Sequence, residues 1–231
     1  MIKISDAHIE TPMLLDSDSP LVLSIENSKE FYYFATELEK AFSGEESDVS
    51  FWKDTERVSA EISGEIILSP FYFDMSDKKI VNLLYKRLVK NYNDGSFIVK
   101  FGEICSETES FLYDLISTVD FAVEQTPFSI EDLLKLCSVK PTKTYDTLLE
   151  KLICYINIFA ELKSVSFFVL VGFKDVLTPE ETTLLYKHCA LNKIELFLLE
   201  RKSYEKLPDN ERKIIITEDL CEIVENIPEM Y

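Results

Sequence analysis

SFFVLVGFKDVLTPEETTLLYKHCALNKIELFLLE, residues 166–200, predicts a strand, a helix and a second strand. Val165–Val171 is apolar and contains enough β-branched residues for a buried strand. The run Thr178-Pro179-Glu180-Glu181 is a strong helix start, because Thr can cap the helix, Pro fits its first position and Glu closes a capping box. Ile194–Leu199 is the second strand. Such a unit pairs its strands in parallel through a right-handed crossover, so we expect an α/β fold.

Both ends of the chain supply further parts of this α/β domain. Near the N-terminus, Leu21–Ile25 predicts a short buried strand, and Ser28 can cap a helix whose apolar residues recur at helical spacing as far as Phe42. The remaining predicted strands are Val49–Lys53, Val58–Ile62, Glu65–Ser69 and, near the C-terminus, Lys213–Thr217. We therefore expect a mostly parallel sheet built from both ends of the chain.

The middle of the chain is predicted to be helical. One helix starts at Ser76, and a longer one follows the turn signal Asn93-Asp94-Gly95 and runs to Pro127. Ser129 and Asp132 resemble a capping box for a short helix to Leu136, and another helix covers Tyr145–Leu162. These patterns predict a head domain of residues 1–79 and 164–231, with an inserted helical leg of residues 80–163.

Charge is strongly segregated along the chain. The 231 residues carry a formal net charge of −18, which by itself disfavours nucleic-acid binding. Residues 78–100 nevertheless contain six basic residues and one acidic residue, Asp94, whereas residues 103–132 contain eight acidic and no basic ones. The mean charge therefore conceals a local basic region that can bind phosphate.

Four basic residues of that region lie on one side of the helix that starts near Ser76. Lys79, Lys86 and Lys90 are spaced by seven and four residues, so they share a face, and Arg87 extends it. A solvated helix surface is the alternative explanation. The absence of interleaved acidic residues favours a DNA-binding face, because ordinary solvated faces mix both signs of charge.

The acidic region has two interpretations. Asp120, Glu124, Glu131 and Asp132 straddle Pro127 and can converge at a bend, and grouped carboxylates suit calcium, which takes six to eight oxygen ligands. No EF-hand loop is present, and a solvated surface is the alternative.

Motifs of common enzymes are absent. The sequence contains neither of the glycine-rich phosphate-binding patterns, and the single Gly172 after a strand cannot build a phosphate loop. His188 and Cys189 are adjacent, so on a helix they cannot face each other as base and nucleophile. We expect no catalytic residues. The five widely spaced cysteines and the lack of a signal or spanning segment indicate a protein of the reducing cytosol with no membrane contact.

The order of these elements resembles a known family. The apolar run 166–171, the helix start at 178–181, Leu184-Leu185, the strand of residues 194–199 and the closing strand of residues 214–217 are similar to those of the spacer-acquisition ring protein of type II-A CRISPR loci. The strand Ile66-Ile67-Leu68 and the helix of residues 133–139 fit the same pattern. The resemblance extends from about Leu21 to Thr217.

This resemblance implies a specific function. Proteins of that family have a head that resembles a degenerate P-loop hydrolase and a helical leg. They form homotetrameric rings. A lysine-lined channel in each ring encloses double-stranded DNA, and the ring slides on DNA ends without catalysing a reaction. Calcium supports their assembly, and they act with the CRISPR integrase proteins and the RNA-guided effector nuclease. The alternatives are an acidic scaffold for these partners that does not bind DNA, and, more remotely, a nucleotide-dependent enzyme.

Overall fold

The computed structural model describes residues 2–142, 144–204 and 210–226. It divides into two compact units, which we call the α/β unit (Met1–Asp74 and Thr144–Tyr231) and the helical unit (Met75–Lys143). No helix in the described residues is long and apolar enough to cross a membrane.

The strands of the described residues all belong to the α/β unit. In chain order they are β1 (Ile2–Ser5), β2 (Met13–Leu14), β3 (Leu21–Ile25), β4 (Ser50–Lys53), β5 (Glu56–Val58), β6 (Gly64–Ile67), β7 (Phe167–Val171), β8 (Glu195–Glu200), β9 (Arg212–Ile216) and β10 (Glu222–Glu225). The helices are α1 (Ser28–Ser43), α2 (Ala60–Ser63), α3 (Lys78–Asn93), α4 (Phe97–Ile116), α5 (Ile130–Leu136), α6 (Leu148–Leu162) and α7 (Pro179–Leu191).

The main sheet has the strand order β10-β9-β3-β8-β7-β6. Strands β6, β7, β8, β3 and β9 pair in parallel, and only β10 is antiparallel to its neighbour. Strands β7 and β8 are direct neighbours joined through α7, with Val171 opposite Leu199. This strand pairing confirms the predicted α/β fold with a mostly parallel sheet. Helix α7 supplies the crossover connection that two parallel neighbours require.

A second sheet covers part of the first. It is antiparallel, with the order β2-β1-β4-β5. Phe51 of β4 stacks on Phe167 of β7 with ring centroids 5.3 Å apart, and Phe34 of α1 meets Phe197 of β8 edge-on at 6.3 Å. All four rings are fully or almost fully buried. The core of the α/β unit therefore includes the space between the two sheets, where aromatic pairs add to the free energy of apolar burial.

The capping boxes appear as predicted, while other helix ends shift by a residue. Thr178 and Glu181 cap α7, and Ser129 and Asp132 cap α5. Helix α1 is capped by Asn27 instead of Ser28, since the Asn27 side chain accepts hydrogen bonds from the backbone N–H groups of residues 29 and 30. Likewise, Asp77 caps α3 instead of Ser76.

Two predicted elements differ from the structure. The strand predicted at Val58–Ile62 ends at Val58, and the following residues form the one-turn helix α2, in which the N–H of Ser63 donates to the Ser59 carbonyl at 3.0 Å. The helix predicted to reach Pro127 ends at Ile116. There the hydroxyls of Ser117 and Thr118 donate to the carbonyls of residues 114 and 115, an arrangement that competes with continued helix.

The helical unit contains α3, α4 and α5. Tyr92 of α3 meets Phe101 of α4 at 5.5 Å, Phe101 meets Phe128 at 5.6 Å, and the hydroxyl of Tyr85 donates to the Leu134 carbonyl at 3.2 Å. The division differs from the predicted leg of residues 80–163, since α6 lies in the α/β unit. The reason is the buried face of α6, which includes Leu152, Ile156 and Phe159 and packs beside α7.

Candidate nucleic-acid interface

The basic residues predicted to bind DNA all lie on α3. The side chain of Asp77 starts this helix by accepting a hydrogen bond from the backbone N–H of Lys79 at 2.7 Å. Ile80 and Tyr85 are buried, whereas the four basic residues, Lys79, Lys86, Arg87 and Lys90, are exposed. At 1.5 Å per residue, Lys79 and Lys90 are roughly 16 Å apart along the helix axis. Helix α3 therefore presents a row of positive charge to solvent.

Lys86 and Lys90 line a groove of about 500 Å³ within the helical unit. The other polar residues along it are Asn82, Asn93, Asp94 and Glu131. Lys79 and Arg87 are not among its lining residues. Two ammonium groups and two amides supply hydrogen-bond donors that suit phosphate oxygens, while two carboxylates bring the opposite charge into the same space.

The residues predicted to bind calcium have different surroundings. Asp120 and Glu124 lie in the segment between α4 and α5 and are exposed. Asp132 caps α5 by accepting from the Ser129 backbone N–H at 2.9 Å and from its hydroxyl at 2.6 Å, and these two bonds lower the pKa of Asp132. Glu131 pairs with Lys135, with Oε1 2.8 Å from Nζ. Two of the four carboxylates therefore already have partners in or beside α5.

The structure does not bring those four carboxylates together as a metal centre. Within residues 2–142, 144–204 and 210–226 there is no group of three or more His, Cys, Asp and Glu side chains that could hold a metal ion. Calcium binding remains a prediction from the family resemblance.

Helix α4 has a broad apolar surface. None of its residues is buried. Phe97, Ile104, Phe111 and Leu115 share one face, because they are spaced by seven, seven and four residues, and each is at least 44% exposed. Exposed apolar patches of this kind usually mark protein contact sites.

Lys174 does not belong to a phosphate loop. Its side chain is 1% exposed, and its Nζ lies 2.8 Å from both carboxylate oxygens of Glu211. The hydroxyl of Tyr186 donates to the same carboxylate at 2.8 Å. Burial lowers the pKa of Lys174, although the nearby Glu211 opposes this effect, and burial raises the pKa of Tyr186. This buried cluster joins the end of β7, helix α7 and the start of β9.

A second buried polar feature lies at the carboxyl ends of two parallel strands. Glu200 of β8 and Ser24 of β3 are paired in the sheet register, and both are fully buried. Oε1 of Glu200 accepts from the backbone N–H of Lys174 at 3.0 Å, whereas Oε2 of Glu200 and Oγ of Ser24 have no hydrogen-bond partner among the described residues. Burial raises the pKa of Glu200 to about 7. No motif in the sequence indicated this pair.

His188 and Cys189 have separate surroundings, as predicted. Nε2 of His188 lies 2.8 Å from Oδ1 of Asn157. Cys189 is buried, and burial raises the pKa of its thiol to about 12. A thiol with such a pKa is almost wholly protonated at neutral pH, so it is a poor nucleophile.

The fold is similar to that of a solved protein structure. The crystal structure of Stu0660 of Streptococcus thermophilus superimposes with a TM-score of 0.59, covering 99% of this chain and 76% of that one at 14% identity. The ADP conformation of MJ1267, an ATP-binding cassette of an ABC transporter, gives a TM-score of 0.48 over 97% of this chain and 91% of that one at 10% identity. None of the curated proteins matches the sequence.

The family comparison covers most of the chain. The model of the family described as CRISPR-associated protein (Cas_Csn2) matches residues 41–220. That region includes the basic helix α3, the whole helical unit and the β7-α7-β8 unit. The resemblance expected from the order of the elements is thereby confirmed: the chain belongs to the CRISPR-associated Cas_Csn2 family.

Proposed function

We propose that this protein acts in CRISPR adaptation as a homotetrameric ring that encloses double-stranded DNA and slides on its ends without catalysing a reaction. Membership of the CRISPR-associated family supports the adaptation role. The observation that carries the DNA-binding part is the row of exposed Lys79, Lys86, Arg87 and Lys90 on α3, in a chain whose net charge is −18.

Segregated charge suits a ring. Lysine and arginine side chains that line a channel bind phosphates without reading bases, so the contact depends on the shape and charge of the duplex. An acidic exterior repels DNA that lies outside the channel. Of the eight acidic residues between positions 103 and 132, Glu131 lines the α3 groove, and the other seven are exposed and consistent with such an exterior.

Self-association is supported by α4. This helix has an exposed apolar face formed by Phe97, Ile104, Phe111 and Leu115. A second copy of the chain that covers this face removes its unfavourable contact with water. Closed symmetric assemblies are the usual form of soluble homo-oligomers. In this proposal, copies of the chain meet through α4, and calcium supports the assembly as the family resemblance implies.

The absence of catalysis is also a proposal. The buried Lys174 is held by Glu211, and the thiol of Cys189 is protonated, so the groups that most resemble catalytic residues are occupied or inert. The partners in this proposal are double-stranded DNA, other copies of the chain, the CRISPR integrase proteins and the RNA-guided effector nuclease, in the cytosol.

The second candidate function is an acidic scaffold that holds these protein partners and never contacts DNA. The acidic run of residues 103–132 favours it. Binding of a short linear duplex and of a small closed circle of the same sequence, measured by fluorescence anisotropy, separates the two functions. The ring binds the linear duplex and not the circle, since a ring must be threaded. Tight binding of the circle contradicts threading, and binding of neither favours the scaffold.

A further inference from the structure

The groove along α3 contains carboxylates among its lysines. Glu131 from the first turn of α5 lines it together with Lys86 and Lys90 of α3, and Asp94 lies at the end of α3. A surface that only attracts phosphate would contain no acidic residue, because a carboxylate repels phosphate and attracts the neighbouring ammonium groups. The place of Glu131 in the first turn of α5 suits the dipole of that helix, and from there its carboxylate acts against phosphate binding in the groove.

Glu131 is held in this groove by the fold. The reciprocal hydrogen bonds of Ser129 and Asp132 determine where α5 begins. Tyr85 of α3 is buried and donates to the Leu134 carbonyl, so the same helix that carries Lys86 and Lys90 holds α5 beside it. The position of the Glu131 backbone is thus set by contacts that do not involve its own side chain.

Glu131 also compensates a third basic residue. Its Oε1 lies 2.8 Å from Nζ of Lys135, one helical turn further along α5. Lys135 would otherwise add a positive charge close to the groove, and its pairing with Glu131 reduces that contribution. Both side chains are more than half exposed, so the pair contributes little to stability. Both charges also lie at the surface, where DNA can approach them.

We infer that Glu131 sets the DNA affinity of the α3 groove by opposing the approach of phosphate to Lys86 and Lys90; this inference rests on the proposed function. Phosphates that enter the groove must approach the carboxylates of Glu131 and Asp94 as well as two ammonium groups. The net attraction is therefore weaker than the lysines alone would give. A moderate affinity for phosphate permits a protein to slide along DNA after binding.

The test compares two variants that change the net charge equally. Glu131→Gln removes the carboxylate from the groove, whereas Glu107→Gln removes an exposed carboxylate from α4 that does not line it. Affinity for a short linear duplex is measured by fluorescence anisotropy over a series of salt concentrations. We expect Glu131→Gln to bind about two- to fivefold more tightly at low salt, the range typical of exposed charge interactions, and Glu107→Gln to change affinity less.

Two further backgrounds assign the gain to the groove. It persists when Lys135 is replaced by Ala, because the inference attributes it to Lys86 and Lys90, and it disappears in a Lys86→Ala, Lys90→Ala background. Equal affinities of Glu131→Gln and Glu107→Gln overturn the inference, as does a gain that survives loss of both α3 lysines. If neither the wild type nor Glu131→Gln binds the duplex at low salt, the proposed function itself fails. Unchanged thermal unfolding of each variant shows that folding is intact.

Discussion

Lys174 and Glu211 form a buried ion pair in which Nζ lies 2.8 Å from both carboxylate oxygens. Each side chain is only 1% exposed. The residues are separated by 37 positions in the chain, so the pair connects the segment after β7 to the start of β9. Removal of one partner leaves the other charge buried without its ion-pair partner.

The first prediction concerns this pair. Lys174→Met and Glu211→Gln should each destabilise the protein by about 3–5 kcal/mol, the range for breaking a buried pair. The double variant should lose clearly less than the sum of the two, because neither charge is then left alone. Urea unfolding of wild type, the two single variants and the double variant measures this coupling as a double-mutant cycle. Strictly additive losses would show that the ion pair is not coupled.

The second prediction concerns Glu200, whose pKa is raised from 4.5 to about 7 by burial. Between those two values the folded state binds more protons than the unfolded state, so stability falls as pH rises. Replacement by Gln keeps the shape of the protonated acid and removes this cost. We expect Glu200→Gln to gain up to about 3 kcal/mol relative to wild type between pH 4.5 and pH 8.

Urea unfolding of wild type and Glu200→Gln at several pH values measures the difference. The exposed Glu103→Gln is the matched control, since its carboxylate is solvated. A wild-type minus Glu200→Gln difference that does not change with pH would mean that Glu200 ionises normally in the folded protein.

The third prediction concerns Gly64, which faces Phe167 across the β6–β7 pair. A Cβ atom at Gly64 would lie 2.3 Å from Cζ of Phe167, which is far inside van der Waals contact. Because Phe167 is fully buried and its ring stacks on Phe51, it cannot move freely. Gly64→Ala should therefore destabilise the protein by about 1–3 kcal/mol, the usual cost of overpacking a core.

Gly102 is the matched control for Gly64. It lies within α4, and a Cβ atom there meets nothing within 4 Å. Gly102→Ala should raise stability by up to about 1 kcal/mol, since Ala is the better helix former. Thermal or urea unfolding distinguishes the two, and a neutral Gly64→Ala would show that the Phe167 ring has room to shift.

Much of the fold could be predicted because its signals are local. The capping box of Thr178 and Glu181 needs only four consecutive residues, and the buried strands before and after α7 are apolar throughout. Strand β10 could not be predicted, because its charged ends and half-exposed centre acquire meaning only beside β9. Equally, the end of α4 at Ile116 depends on two hydroxyls that bond to nearby carbonyls and not on Pro127.

The candidate site was predictable only in part for the same reason. Helical spacing alone placed Lys86 and Lys90 on one exposed face of α3. In the sequence, Glu131 suggested only a calcium ligand, whereas the packing of α5 on α3 places it in the same groove as those lysines. Contacts between helices that lie 40 or more residues apart leave no periodic trace in the sequence.

The fourth prediction concerns assembly through α4. Phe111→Glu should weaken self-association, because it introduces a charge into the apolar face that it shares with Ile104 and Leu115. Tyr113→Glu is the matched control, since Tyr113 is also an exposed aromatic residue but points to the opposite side of α4. Size exclusion with light scattering, with and without calcium, reports the mass. A wild-type monomer of 26.7 kDa under both conditions would exclude the ring.

The fifth prediction concerns the basic face of α3. If Lys86 and Lys90 contact phosphates, their joint replacement by Ala should weaken binding equally for all DNA sequences. It should also reduce the slope of log affinity against log salt by about 0.9 for each lost contact, because fewer counterions are released. A Lys140→Ala, Lys187→Ala variant makes the same charge change at two exposed positions that are not on α3.

The slope identifies contact more directly than affinity does, since any loss of positive charge weakens the long-range attraction of DNA. A salt titration with one linear duplex therefore compares wild type and the two double variants. The control variant should keep the wild-type slope even if its affinity falls. An unchanged slope for Lys86→Ala, Lys90→Ala would assign the phosphate contacts to another surface. Because the inferred role of Glu131 depends on these lysines, that result would remove both the α3 groove as the DNA site and the role of Glu131, while DNA binding through another surface would remain.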